Sequence, residues 1–321
     1  MALLLSCGLT GCSSPAPDLI DRRATDHNRA GSESFQRGDL AAAALHFEQA
    51  LELARGLGDR EQQADALNNL GIVNECIGRA EAALPLYEQA RDLATFAPAR
   101  PDALVATYWP GVFSTNLNLA RLRLAQGEGA AAAAALELAR AAAEVLDSDA
   151  ARADVAKQRA LALLAQPGAA AAATALAREA LALARRGGDG PVALARRADA
   201  EIVLGRALAA EGKQDEAAAA LRQAGDQARA ISDRGLTAAA LEGLGEVLAT
   251  EGRFTEARVR FEMALDIHAR TPNPVRARAA LRRLRALAEA EERPDLAAMY
   301  TARLDALAAD DGAPPRPESP R

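Results

Sequence analysis

Few residues in the sequence could carry catalysis, and they are scattered. The three histidines, His27, His46 and His268, share no metal-ligand spacing with one another or with Cys76. No glycine-rich phosphate loop follows a strand, because the sequence predicts no strands. The many aspartates and glutamates fall in predicted helices, where a solvated face accounts for them. We therefore expect no catalytic site, no metal, no cofactor and no enzymatic activity.

The composition indicates an all-helical protein without a nucleic-acid partner. Half of the 321 residues are apolar but only 3% are aromatic. Alanine, the best helix former, dominates the apolar fraction. The formal net charge is -6, whereas nucleic-acid binding normally needs a clustered basic surface. No long uninterrupted apolar stretch is present, so the sequence predicts no membrane-spanning helix.

The N-terminal residues indicate lipid attachment. A short apolar run precedes Leu9-Thr10-Gly11-Cys12, and Ser13 to Pro17 follow it. Leu9 to Cys12 resemble the lipobox of bacterial lipoproteins, in which the cysteine is acylated. The resemblance implies a signal at residues 1–12, a lipid anchor at Cys12 and a flexible tether at residues 13–20. It also implies an outer-membrane protein that faces the periplasm; the alternative is a chance match at an ordinary terminus of a cytoplasmic protein.

A recurring glycine sets the register of a repeat. Gly38, Gly78, Gly127, Gly168, Gly212 and Gly252 are separated, by subtraction, by 40, 49, 41, 44 and 40 residues. Alanine stands five and twelve residues after each of these glycines. In most copies a large residue stands nine residues after the glycine, and a small residue stands seven residues before it. The nine-after column is Phe47, Tyr87, Leu136, Ala177, Leu221 and Phe261, and the seven-before column is Gly31, Gly71, Ala120, Leu161, Gly205 and Gly245.

These columns predict pairs of antiparallel helices. Offsets of three and four place them on one helical face, and glycine tolerates the positive φ of the turn. The clearest copy, Leu241 to Leu265, resembles the tetratricopeptide repeat, whose period is about 34 residues. The longer period here, and Ala66 to Gly71, resemble the kinesin-light-chain type. The resemblance implies an all-α, right-handed superhelical solenoid over residues 21–308, with six repeats, C-terminal capping helices and a disordered tail at 309–321.

The extra residues of the long period lie between the repeats. Three of these linkers carry an aspartate, Asp59, Asp189 and Asp233, near the start of the next predicted helix. Aspartate is a favoured N-cap, because its carboxylate accepts hydrogen bonds from the first free N–H groups of a helix. We expect each of the three to cap the helix that follows it.

The resemblance also implies a binding groove lined by the first helix of each repeat. Asparagine suits peptide capture, since its amide can pair with both the N–H and the C=O of an extended backbone. The arginines would meet acidic groups and the glutamates a basic end of the partner. The alternative is that all are solvated polar residues. The groove positions are Asn28, Asn68, Asn69, Asn118, Arg121, Arg206, Glu242 and Glu246, with Ser32, Phe35, Ile72 and Gln158 beside them.

One segment departs from the pattern. Pro98 and Pro101 break the helix between the second and third repeats, and Tyr108, Trp109 and Phe113 follow. This stretch, residues 96–113, is either an aromatic plug over an exposed apolar face or a lip that contacts a partner.

The function expected from the sequence is a non-catalytic adaptor lipoprotein that binds a protein or peptide in the cell envelope, in the assembly of an envelope complex. A cytoplasmic scaffold or signalling sensor is the first alternative. An accessory subunit of a cell-wall enzyme complex is the second. No small-molecule substrate is expected.

Overall fold

Every regular element in the described part of the protein is an α-helix. The computed structural model describes residues 17–94, 108–270 and 274–311, and over these residues it contains no strand. The all-α repeat fold predicted from the sequence is confirmed. The helices are α1 (Pro17–Arg37), α2 (Leu40–Leu57), α3 (Arg60–Cys76), α4 (Ala80–Ala94), α5 (Tyr108–Ala125), α6 (Gly129–Val145), α7 (Asp149–Leu164), α8 (Ala170–Arg185), α9 (Pro191–Ala210), α10 (Gln214–Ala230), α11 (Arg234–Thr250), α12 (Phe254–Ala269), α13 (Pro274–Ala290) and α14 (Pro294–Asp311).

The predicted glycines lie at the turns within the helix pairs. All six have φ between 74° and 85°, the left-handed region that an L side chain rarely adopts. At the first turn, the Asp39 N–H donates to the Ser34 carbonyl at 2.9 Å, which satisfies one of the free carbonyls of α1. A seventh pair, α13 and α14, turns in the same way, but Glu292 takes the positive φ, at 55°.

In four of the pairs, the glycine seven residues before the turn glycine packs against the large side chain nine residues after the turn glycine. A Cβ atom built on Gly31, Gly71 or Gly245 would lie 2.5 to 2.6 Å from a ring atom of the aromatic side chain in its own pair. A Cβ atom on Gly205 would lie 2.5 Å from Leu221. Helix backbones can approach this closely only because the side chain is missing. The contact explains why the two columns vary together.

In the fourth pair the large residue is on the first helix and the small residue is on the second. Leu161 stands where the other pairs have a small residue, and Ala177 stands where most have a large one. Ala177 is fully buried, and Leu161 packs against the core cluster that contains it. The large residue of this pair therefore lies on the first helix and the small one on the second, the reverse of most other pairs.

Two of the three predicted aspartate caps are present. The Asp59 carboxylate accepts from the N–H groups of Glu61 and Gln62, and the Asp233 carboxylate accepts from that of Leu236. The expectation for Asp189 is wrong, because α9 begins with Gly190 as its N-cap and Pro191 at its first position. Proline fits there, since the first N–H of a helix has no intrahelical acceptor. Asp189 instead accepts from Arg197 at 2.9 Å.

The helical region is longer at both ends than the predicted domain boundaries. Helix α1 begins at Pro17, so it starts before residue 21, the predicted beginning of the repeats. Its first turn contains Pro17 and Asp18, residue types that favour a helix start. Helix α14 continues to Asp311, inside the predicted tail. None of the helices within the described residues has the length and apolar character needed to cross a membrane.

We expect Phe261→Ala to lower the free energy of unfolding by about 3–5 kcal/mol, the usual cost of emptying an aromatic core position. The Phe261 side chain is 3% exposed, and its ring lies against Gly245, which cannot fill the space. Chemical denaturation monitored by circular dichroism measures the change. Val259→Ala, on the same helix but 46% exposed, is the control. Equal costs for the two variants would contradict the packing described above.

Candidate functional site

The inner face of the helix stack encloses a polar cavity of about 520 Å³. Its walls come mainly from the first helices of successive pairs, α5, α7, α9, α11 and α13, as expected for a groove. Three predicted groove residues, Arg121, Arg206 and Glu242, line it, together with Gln158. The other lining residues are Lys157, Leu161, Asp199, Ile202, Val203, Ala239, His268, Arg276, Ala279 and Arg283.

Two predicted asparagines bind each other beside this cavity. The Asn118 side-chain amide donates to the Asn68 carbonyl oxygen at 3.0 Å, which joins α5 to α3. Asn68 is buried. The Asn118 side-chain oxygen in turn accepts a hydrogen bond from Arg121 at 3.5 Å. The two asparagines thus form part of a polar network that joins α3 to α5.

Arg121 is neutralised within the chain by a residue that the sequence did not single out. Its guanidinium donates to both oxygens of Glu75, at 2.5 and 2.9 Å. The Tyr87 hydroxyl donates to the same carboxylate at 2.7 Å. Burial, and then the negative charge of Glu75, hold the pKa of Tyr87 well above its usual range, so it remains a donor. Glu75 is thus an acidic partner of Arg121 within the chain, and a contact of Arg121 with a bound protein or peptide stays a prediction.

Glu242 and Glu246 also have partners within the chain. His268 Nε2 lies 3.1 Å from a Glu242 oxygen, and the Arg283 guanidinium lies 3.6 Å from the other. Arg283 also donates to Glu246 at 2.9 Å. The expectation that these glutamates meet a basic partner stays a prediction; within the chain both carboxylates lie next to Arg283.

The pKa of the Glu242 carboxyl lies below its ordinary value. Burial alone would raise it, but the hydrogen bond from His268 and the charges of Arg283 and Arg206 outweigh burial. Ionised Glu242 is therefore favoured in the folded chain relative to the unfolded one.

Lys157, which also lines the cavity, is paired with carboxylates of the chain. It donates to Asp154 at 3.1 Å and forms a short contact with Asp199, linking α7 to α9. Burial lowers the pKa of the Lys157 ammonium, but the two carboxylates outweigh burial and keep that pKa above its ordinary value.

Arg206 and Gln158 differ from the other groups of the cavity. The Arg206 Nε and the Gln158 side-chain oxygen are buried, and neither has a hydrogen-bond partner among the described residues. A buried donor or acceptor without a partner costs free energy, so native proteins rarely leave one unpaired without a reason. These two atoms are the unsatisfied groups of this cavity.

The remaining predicted positions lie elsewhere. Asn28 and Asn69, on α1 and α3, are half-buried and do not line the cavity. The Asn28 side-chain oxygen is another buried acceptor without a partner in the described chain. Cys12 and residues 95–107 lie outside the described residues, so the lipid anchor and the aromatic segment remain predictions. Phe113 is described, and it packs against two core clusters.

The structure brings together two histidines that sequence spacing did not relate. His27 on α1 and His46 on α2 place their Nδ1 atoms 3.4 Å apart. In the described part of the chain, no group of three or more metal-ligating side chains accompanies them or occurs elsewhere.

We expect Glu242→Gln to lower the melting temperature near neutral pH. A carboxyl whose folded pKa is depressed stabilises the protein above its unfolded pKa, and this contribution is lost as pH falls through the folded value. The difference in melting temperature between wild type and variant should therefore shrink as the pH is lowered through the acidic range. Thermal unfolding from pH 7 to about pH 3 tests this; a difference that does not change with pH would refute the assignment.

Comparison with known proteins identifies the repeat and the fold. Residues 21–95 match the tetratricopeptide repeat family, which confirms the predicted repeat type for that part of the chain. No curated protein matches the sequence.

Three solved structures resemble the chain over most of its length. A Rap protein complexed with Competence and Sporulation Factor has a TM-score of 0.66 and 17% identity, over 92% of this chain and 80% of that one. A Pyrococcus horikoshii signal-transduction ATPase with a tetratricopeptide repeat sensor has a TM-score of 0.55 and 15% identity, over 93% of this chain and 45% of that one. Aspartyl phosphate phosphatase F from Bacillus subtilis has a TM-score of 0.53 and 13% identity, over 95% of this chain and 77% of that one. At these identities the likeness shows the fold alone.

Proposed function

We propose that the chain is a non-catalytic scaffold that binds a protein or peptide partner on its inner face. The observation that carries this proposal is the 520 Å³ cavity between the first helices, with buried polar atoms on Arg206 and Gln158 that the described chain leaves unpaired. Helical repeats present such concave surfaces for binding, because each repeat contacts only its neighbours and the inner face remains open.

The fold comparisons support the same general role. Tetratricopeptide repeats cover residues 21–95, and the Rap protein of similar fold was crystallised with a factor bound. For this chain, we propose that an extended segment of the partner lies along α3, α5, α7 and α9. The Asn68–Asn118 pair would hold its backbone, and the cavity would receive a side chain or a chain end.

We further propose that the protein acts at the cell envelope. The support is the run Leu9-Thr10-Gly11-Cys12 followed by the serine- and proline-containing residues 13–17, an order typical of bacterial lipoproteins. Acylation of Cys12 with several chains would anchor the chain stably, whereas a single chain would not. In this proposal the repeats face the periplasm at the outer membrane and take part in assembling an envelope complex.

A signalling sensor in the cytoplasm is the second candidate function. Its support is the similarity of fold to the Rap protein and to a signal-transduction ATPase that carries a repeat sensor. In this candidate, the same cavity binds a signal and Cys12 carries no lipid.

Acylation of Cys12 distinguishes the envelope scaffold from the cytoplasmic sensor. We expect the wild-type chain to incorporate a lipid probe during metabolic labelling in a bacterial host, and to fractionate with membranes. Cys12→Ala should abolish both, because the thiol is the acceptor of the diacylglycerol. Cys76→Ala is the control and should label like wild type. Equal labelling of wild type and Cys12→Ala would rule out the lipoprotein assignment.

For the groove, we expect the double change Asn68→Ala with Asn118→Ala to weaken partner capture by roughly tenfold, the scale of a few lost hydrogen bonds. The melting temperature should change little, because removing both members of a hydrogen bond leaves neither one unpaired. The measurement is a quantitative pull-down from detergent-solubilised envelope with the full chain as bait.

The matched control is Gln223→Ala, an exposed amide on α10 away from the cavity. Capture that is equally strong for wild type, the double variant and the control would contradict a binding role for the inner face.

A further inference from the structure

Two histidines of the first helix pair lie close enough to share one metal ion. His27 is on α1 and His46 is on α2, and their Nδ1 atoms are 3.4 Å apart. The ring centroids are 5.7 Å apart, and the ring planes are inclined by 35°. Both side chains are half-buried, so water and a small ion can reach them.

The separation of the two nitrogens matches that of two ligands on a single ion. Zinc–imidazole bonds are about 2.0–2.1 Å long, so two nitrogens at the tetrahedral angle lie about 3.3–3.4 Å apart. The observed 3.4 Å exceeds the roughly 2.7–3.2 Å that is usual for an N–H···O hydrogen bond. The arrangement therefore suits an ion between the rings better than a direct hydrogen bond.

The packing of the helix pair holds the two rings in place. Gly31 follows His27 by about one helical turn, and Phe47 follows His46 directly. A Cβ atom on Gly31 would lie 2.6 Å from the Phe47 ring, so the two helices are in close contact beside the histidines. Phe47 is buried in a core cluster. Ligands on packed helices are held more precisely than ligands on loops.

Imidazole nitrogens indicate the class of ion. Histidine suits Zn²⁺, Ni²⁺ and Cu²⁺, and Cu²⁺ binds most tightly of the divalent first-row ions. No group of three or more metal-ligating side chains occurs in the described ranges. The carboxylate nearest in sequence, Asp26, is paired with Arg29 at 2.7 Å. Two protein ligands leave coordination positions for water, so the ion would exchange readily, unlike one in a closed structural site.

We propose that His27 and His46 chelate one divalent transition-metal ion, Zn²⁺ or Cu²⁺, through their Nδ1 atoms, with water at the remaining positions. The ion joins α1 to α2 and stabilises the first helix pair, because it binds the folded chain and not the unfolded one. The proposal does not depend on the scaffold function, since neither helix lines the inner cavity.

Electron paramagnetic resonance of Cu²⁺ bound to the full chain, without an added histidine tag, counts the nitrogen ligands. With one equivalent of Cu²⁺, we expect the superhyperfine splitting to show two nitrogen ligands in the wild type. His27→Gln and His46→Gln should each leave one. Cys76→Ala is the control; it removes a thiol that also binds metals and should match the wild type.

Thermal unfolding with Zn²⁺ is the second measurement. Excess Zn²⁺ should raise the melting temperature of wild type and Cys76→Ala by about 4 °C, at a hundredfold excess over the dissociation constant. The two histidine variants should not respond. Mg²⁺ at the same concentration should have no effect on any of the four proteins, because it prefers oxygen ligands.

A copper spectrum without two nitrogen ligands in the wild type, or one that both histidine variants share, would overturn the proposal. A zinc response that persists in either variant, or that Mg²⁺ reproduces, would show adventitious binding elsewhere and would also overturn it. Circular dichroism checks that the variants fold. If one does not, the nitrogen count of the wild type still decides the question.

Discussion

The architecture depends on the contact between a large side chain on the second helix of a pair and a residue with little or no side chain on the first. In four pairs this first-helix residue is glycine, and a Cβ atom there would overlap Phe47, Tyr87, Leu221 or Phe261. The contact fixes the separation and register of the two helices. The fourth pair differs, with Leu161 on its first helix and the buried Ala177 on its second, and both belong to or pack against one core cluster.

The same contact determines which residues face the cavity. On α9, Gly205 packs against Leu221 while the next residue, Arg206, points to the inner face. On α11, Gly245 packs against Phe261 and Glu242 lines the cavity. On an α-helix, residues one and three positions from a packing glycine lie about 100° and about 60° from it around the axis, so they can line the cavity beside the packed side. The packing contact and the cavity-lining side chains thus lie on different sides of one helix.

Ion pairs connect the inner face across repeats. Glu75 with Arg121 links α3 to α5, Lys157 with Asp199 links α7 to α9, and Glu242 and Glu246 with Arg283 link α11 to α13. These pairs are only partly buried, since the side chains of Arg121, Asp199 and Glu246 are 46%, 38% and 42% exposed, so solvent screening limits what each contributes to stability.

The sequence by itself determined the features that depend on local geometry. Helix pairs, turn glycines, the small and large columns and the caps at Asp59 and Asp233 all follow from residues within one repeat, where helical periodicity relates spacing to direction. The tertiary structure decided which of the polar first-helix residues pair with one another. Asn68 meets Asn118 fifty residues away, and Glu242 meets His268 and Arg283. These partnerships depend on how repeats stack and curve, and residue spacing within one repeat carries no information about that. Asn68, Arg121, Arg206 and Glu242 look alike as polar inner-face positions in the sequence, and only the stacking leaves Arg206 unpaired.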